Sequence, residues 1–174
     1  MTSLATLIWD ASVLYHPAHA DRIDVLADLA SPYRNVTTAA VLDELLQHDL
    51  RDAATAGEWL EEQRLDGLAE IGLLGLWLER LGAGAHHRGE VTVAVACEVL
   101  HGTALLDDRA ASQVMRAYGL TCHGTVWLAH DAVRSGRVGS ARALDGFFSS
   151  LLADGARLPF ASGPEWGAWA RHNV

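Results

Sequence analysis

A chain of 174 residues with a net charge of −9, half of it hydrophobic and only 20% charged, suits one compact domain with a sizeable core and excludes a disordered segment. Its longest charge-free apolar stretch in the middle, residues 71–78, falls far short of the ~20 residues a membrane span needs. The N-terminus has no basic region ahead of an apolar run, so neither a span nor a secretory leader is expected and the protein is read as cytoplasmic.

The chain opens on the apolar run Thr6-Leu7-Ile8-Trp9, which stops at Asp10 and reads as a buried strand. Ile23, Leu26 and Leu29 repeat at helical spacing over residues 20–30, and Asn35-Val36-Thr37 follows as a second strand. Thr38 can cap the next helix, which carries Val41, Leu42, Leu45 and Leu46 on one face. A further helix is expected over residues 53–64. Residues 68–73 read as a strand and 75–81 as a short helix, both weakened by Gly72 and Gly75.

After a loop marked by Gly82, Gly84 and Gly89, a helix is expected over 90–100, closed by His101-Gly102. A strand over 103–106, a helix over 109–118 closed by Gly119, and a strand over 120–122 complete a second strand–helix–strand unit. Helices are expected over 126–134 and 141–153, then an irregular tail. Repeated strand–helix–strand units imply parallel strands covered by helices. The fold class is α/β, a three-layer α/β/α sandwich with a mainly parallel central sheet. Residues 1–140 form the main domain, and 141–174 a C-terminal helix and irregular tail packing on or extending it.

All 13 basic residues are arginine. The absence of lysine removes Schiff-base chemistry and the lysine of P-loop nucleotide sites. It also weakens an aspartyl-phosphate receiver, which needs a lysine near the phosphate. Charge is lopsided: residues 1–87 hold 14 acids and 5 arginines, residues 88–174 eight of each. Phosphate affinity comes from cations, so a nucleic-acid substrate would depend on the arginine-bearing half or on a metal. Cys97 and Cys122 read as two buried thiols. The nine histidines give no convincing zinc spacing: His86-His87 are adjacent, and His16 and His19 fall in an expected loop around Pro17.

In parallel sheets, ligands bind beyond the carboxyl ends of the strands. Asp10 lies at that end of the first strand, and Asp107-Asp108 at that end of the strand over 103–106. Each could instead cap the helix that follows. Glu90 shares a helical stripe with Val93, Ala94 and Cys97, which points it at the core edge. On the preceding helix, Asp43 and Glu44 border the apolar face equally, and periodicity does not choose between them. Four converging carboxylates cannot all stay ionised without cations. Oxygen donors suit Mg²⁺ or Mn²⁺, and such a cation orients a phosphodiester, activates water and stabilises the leaving oxygen.

Three stretches carry a family resemblance: Leu7-Ile8-Trp9-Asp10, residues 37–46, and the run from Gly89-Glu90 through Leu105-Leu106-Asp107-Asp108-Arg109 to Gly124-Thr125. Over roughly residues 5–138 the chain resembles a PIN-domain ribonuclease of the VapC-like toxin branch. The resemblance implies an Mg²⁺- or Mn²⁺-dependent endoribonuclease with Asp10, Glu44, Glu90 and Asp108 as its acids. By resemblance alone it selects Glu44 over Asp43, and adds Asp107 as an auxiliary beside Asp10, Glu90 and Asp108 at the metal. Ser12 and Thr125 are expected to hold water or a scissile phosphate. Arg109, Arg134 and Arg137, with Arg142, are expected to contact RNA. The branch often carries a second acid two residues after the Gly-Glu glutamate, where this chain has Thr92. Expected partners are RNA, a basic antitoxin protein and a second copy of the chain. The alternative is a PIN-like module that binds RNA or protein without catalysis.

Overall fold

Leu7, Ile8 and Trp9 of β1 (Thr6–Trp9) are all buried, as the central strand of a sheet covered on both faces demands. In the computed structural model, which describes residues 4–82 and 88–173, β2 (Arg34–Thr38) and β4 (Thr103–Leu105) flank β1. The edges are β3 (Glu61–Gln63) beside β2 and β5 (Cys122–His123) beside β4. Every pairing is parallel, with Ile8 opposite Val36 on one side and Ala104 on the other. Trp9 Nε1 donates to Asn35 Oδ1 at 3.0 Å, satisfying two polar groups that the β1–β2 contact buries.

Parallel strands need crossovers. The connections hold α1 (Ala11–His19) and α2 (Ile23–Ala30), then α3 (Ala39–Leu46) and α4 (Arg51–Thr55), then α5 (Leu68–Arg80) and α6 (Arg88–Leu100), and last α7 (Arg109–Ala117). α8 (Thr125–Arg134) follows β5, and the chain continues through a 3-10 turn (Ala141–Leu144), α9 (Asp145–Ala153), a second turn (Gly163–Glu165) and α10 (Trp166–Asn173). The result is the expected three-layer α/β/α sandwich, with its sheet wholly parallel. α6 packs across β1, β2 and β4. Its exit is tight: His101 takes φ +50°, and a Cβ on Gly102 would stand 2.0 Å from Ile8 Cδ1. Among the described residues no helix is long and apolar enough to cross a membrane.

Four expectations need correction. Residues 53–64 are not one helix: α4 stops at Thr55, Gly57 and Glu58 take positive φ, and Glu61–Gln63 pair with Val36–Thr38. Residues 68–80 form a single helix, because the positions where Gly72 and Gly75 would carry a Cβ face open space and α5 packs on α6 elsewhere. His16 and His19 lie on α1, which continues through the buried Pro17. The tail is not irregular: α10 packs on α8, and Phe147, Phe148, Phe160, Trp166 and Ala170 join the same core as the sheet.

The sheet order reverses about β1, whose neighbours β2 and β4 are reached by crossovers in opposite directions. The carboxyl ends of β1 and β4 therefore open a crevice between the first residues of α1 and α7.

Candidate active site

Asp10 leaves β1 pointing into that crevice. Its backbone N–H still belongs to the sheet, donating to Leu105 O at 2.9 Å. Its side chain caps α1: Oδ2 accepts from Ser12 N at 3.0 Å and from Ser12 Oγ at 2.5 Å. The residue is only 3% exposed. Burial pushes its carboxyl up to about 7, against the pull of the two Ser12 hydrogen bonds and with the added repulsion of Glu90 and Glu44.

Those two glutamates come from different crossovers. Glu44 stands in the second turn of α3, after β2, and Glu90 in the first turn of α6, where the chain turns back toward β4. Gly89 makes room for Glu44 beside Asp10: a Cβ there would lie 2.9 Å from Glu44 Oε2 and 3.5 Å from Asp10 Oδ1. Glu90 Oε2 is shielded from solvent. Glu44 lines the crevice with Asp10, whereas Asp43 lines neighbouring hollows. Geometry thus separates two residues that periodicity left equivalent.

Asp107 and Asp108 reach the same crevice but have helix ends to serve. Asp107 Oδ1 accepts from Thr125 N at 2.9 Å and Oδ2 from Thr125 Oγ1 at 2.7 Å. A Cβ on Gly124 would stand 2.3 Å from that Oδ1, so the approach requires glycine. Asp108 caps α7, with Oδ1 accepting from Ala111 N at 2.7 Å. Ser12 Oγ also accepts from Asp107 N at 3.0 Å, joining the two strand ends.

The crevice measures ≈ 410 Å³ and is lined by all five acids. Ser12 and Thr125 are engaged with Asp10 and Asp107, so their hydroxyls orient acids in this structure. Arg137 is committed elsewhere, to Asp131 at 2.6 Å, to Ser135 Oγ at 3.0 Å and to Leu29 O. Arg134 keeps a looser 3.5 Å contact with Asp131 and a 74% exposed side chain. Arg109 and Arg142 are exposed and do not line the crevice. Thr92 donates to Gly89 O and meets the Thr38 hydroxyl at 2.7 Å, facing a hollow beside α3 and β3 rather than the acids.

The sequence weighs His16 only as a zinc ligand and singles out none of the wall residues Tyr15, His48 and Arg157. His16 lines the crevice and is held by Asp154 at 2.7 Å, and Asp154 also meets His19. The i, i+3 spacing of the histidines was the available signal. Arg157 reaches the crevice from the segment after α9, and no local pattern announces it. The His86-His87 and Gly84 readings lie outside the described residues.

Among the described residues, no three His, Cys, Asp or Glu side chains already stand around one point as a metal cage. The donor set nevertheless fits a hard divalent cation: it offers carboxylate oxygens, and Asp10 is buried against two like charges. Without a countercharge, repulsion keeps such carboxylates apart.

Residues 6–161 match a family model described as PIN domain. The matched span takes in all five strands, the five acids and α9, and runs well beyond residue 138. No curated protein matches the chain.

Proposed function

The chain belongs to the PIN-domain family, whose fold is of the nuclease type, and on that premise we propose that it is an Mg²⁺- or Mn²⁺-dependent endoribonuclease. The observation that carries the reading is Asp10, buried, with Glu44 and Glu90 pressing on it and its carboxyl pushed up to about 7. A fold gains nothing from concentrating such charge. A site that takes up a cation does.

Asp10, Glu44 and Glu90 would hold the cation, with Asp107 and Asp108 on the far wall. A bound divalent cation supplies charge neutralisation and polarises the phosphodiester. Ser12 fixes the Asp10 carboxylate through two hydrogen bonds and ties it to the end of β4. Thr125 fixes Asp107 in the same way. No lysine or covalent intermediate enters the reaction, and Arg157 is the one arginine among the crevice-lining residues described.

The finer reading is a VapC-like toxin, cytoplasmic, restrained by a basic antitoxin segment whose arginine pairs with the acids. The acidic charge of residues 1–87 supports a basic partner. A homodimer is supported by α5, where Leu68 is 91% exposed and Ile71 56%, since contiguous exposed apolar surface marks interaction faces. Residues 1–140 carry the acids, and 141–174 extend the same domain and complete the crevice wall with Arg157.

The rival reading, a non-catalytic RNA- or protein-binding module, is favoured by one observation: Asp107 and Asp108 spend carboxylate oxygens on helix N-termini. Incubating a mixed RNA pool with the protein and EDTA, Mg²⁺ or Mn²⁺ separates the two. Metal-dependent cleavage supports the nuclease, and its absence with every cation supports the module.

A further inference from the structure

A hollow of ≈ 580 Å³ adjoins the acidic crevice through Asp107. Its walls differ from the crevice in both charge and chemistry. Trp127, from the first turn of α8, stacks on His123 at the end of β5, with ring centroids 3.9 Å apart and planes 5° from parallel. Trp169 comes from α10, so the C-terminal segment builds part of the wall. Arg116 and Arg134 bring two cations to the same hollow. Arg116 is anchored to Cys122 O at 2.7 Å, while Arg134 keeps most of its side chain in solvent.

The two tryptophans near the C-terminus have separate duties. Trp166 is buried and donates to Ala141 O at 3.0 Å, which makes it the anchor of α10. Trp169 is only half-buried and faces the hollow. Burial together with the Arg116 charge holds His123 below the ordinary histidine value, so the imidazole is neutral near pH 7 and covers one face of the Trp127 indole as an uncharged ring. Aromatic rings beside two arginines suit a base and its phosphate, and of the two carboxylates in the same hollow Asp107 is held by Thr125 and Asp131 by Tyr33 and Arg137.

We propose that this hollow is a nucleobase-binding subsite for single-stranded RNA, stacking a base on Trp127 and Trp169 beside the acidic crevice, with Arg134 meeting its phosphate. The inference rests on the nuclease reading for the identity of the substrate. It goes further by giving the C-terminal helix a role in substrate binding. A base held inside a duplex cannot enter, so the subsite selects single strands.

The test measures fluorescence anisotropy of a fluorescein-labelled single-stranded RNA of ~12 nucleotides bound to the full chain in EDTA. Wild type is compared with Trp127→Leu, Trp169→Leu, Arg134→Gln and Asp10→Asn. Each tryptophan variant should bind about tenfold more weakly, the size of one lost base stack. Arg134→Gln should bind more weakly with a shallower salt dependence, Asp10→Asn at least as tightly as wild type, and an RNA duplex poorly. Trp127→Leu removes packing as well, so Trp169→Leu and Arg134→Gln decide the matter if that variant fails to fold. Unchanged affinity in these two, or no RNA binding by wild type, overturns the subsite. Cleavage with Mg²⁺ is scored separately. Asp10-dependent cleavage with unchanged affinities leaves the nuclease standing without the subsite, and weakened variants of a protein that never cleaves leave the subsite in a binding module.

Discussion

Ser12 holds Asp10 by two donors at once, its backbone N–H at 3.0 Å and its hydroxyl at 2.5 Å, both on Oδ2. Those bonds favour the ionised carboxyl, yet burial and the charges of Glu90 and Glu44 outweigh them and leave Asp10 at about 7. The folded protein therefore keeps a proton on Asp10 between the ordinary 3.8 and about 7. By linkage, stability falls as pH rises through that window. Asp10→Asn, which still offers an amide oxygen to Ser12, should be more stable than wild type at pH 8 in EDTA, by up to about 4 kcal/mol. The gain should shrink toward zero near pH 4. Urea unfolding at the two pH values checks the sign.

Metal affinity carries the same signature with the opposite slope. A cation competes with the Asp10 proton, so binding should tighten as pH rises toward about 7 and then level off. At pH 6 each Mn²⁺ bound should release roughly one proton. Titration calorimetry in two buffers of different ionisation enthalpy measures that release. A pH-independent affinity between 5 and 8 would mean that Asp10 is not a ligand.

Gly89 and Gly124 sit against different acids and should respond differently to an added methyl. At Gly89 the methyl would press on the flexible end of Glu44, which can swing away. Gly89→Ala should therefore leave stability unchanged or raise it by up to about 1 kcal/mol, while weakening metal binding. At Gly124 the methyl would displace Asp107 from Thr125, a residue only 1% exposed. Gly124→Ala should cost about 1–3 kcal/mol. Parallel unfolding and metal titrations of both variants distinguish the effects.

Arg137 and Arg134 lie three residues apart and both touch Asp131, but only Arg137 is built into the fold. Burial opposes the Asp131 charge, yet hydrogen bonds from Tyr33 at 2.6 Å and from Arg137 hold its carboxyl below the usual range. Arg137→Gln should destabilise by about 1–2 kcal/mol, whereas Arg134→Gln should leave stability within about 0.5 kcal/mol of wild type. Thermal unfolding of the two variants settles which arginine is structural.

The layers and the central strands were legible because Leu7-Ile8-Trp9 and Ala104-Leu105 are short apolar runs ending at aspartates. What escaped was set by tertiary pairing. Glu61-Glu62-Gln63 has no strand pattern of its own, and it becomes an edge strand because β2 offers it free backbone groups. Gly72 and Gly75 look like helix breakers, but α6 supports the helix that contains them. In the site, Asp10, Asp107 and Asp108 were visible at strand ends, while Asp43 and Glu44 were equivalent by periodicity and are separated by the approach of Glu44 to Gly89 in the crevice. Arg157 was invisible because it enters from a tail that no local periodicity ties to the sheet.

The central claim is a cation-dependent RNA-cleaving site organised by Asp10. The most direct measurement is cleavage of a mixed RNA pool by wild type and Asp10→Asn, each with EDTA, Mg²⁺ or Mn²⁺, alongside circular dichroism of both proteins. The account predicts cleavage by wild type with Mg²⁺ or Mn²⁺ only, and none by a fully folded Asp10→Asn. Equal cleavage by the two proteins, or cleavage that persists in EDTA, would contradict it.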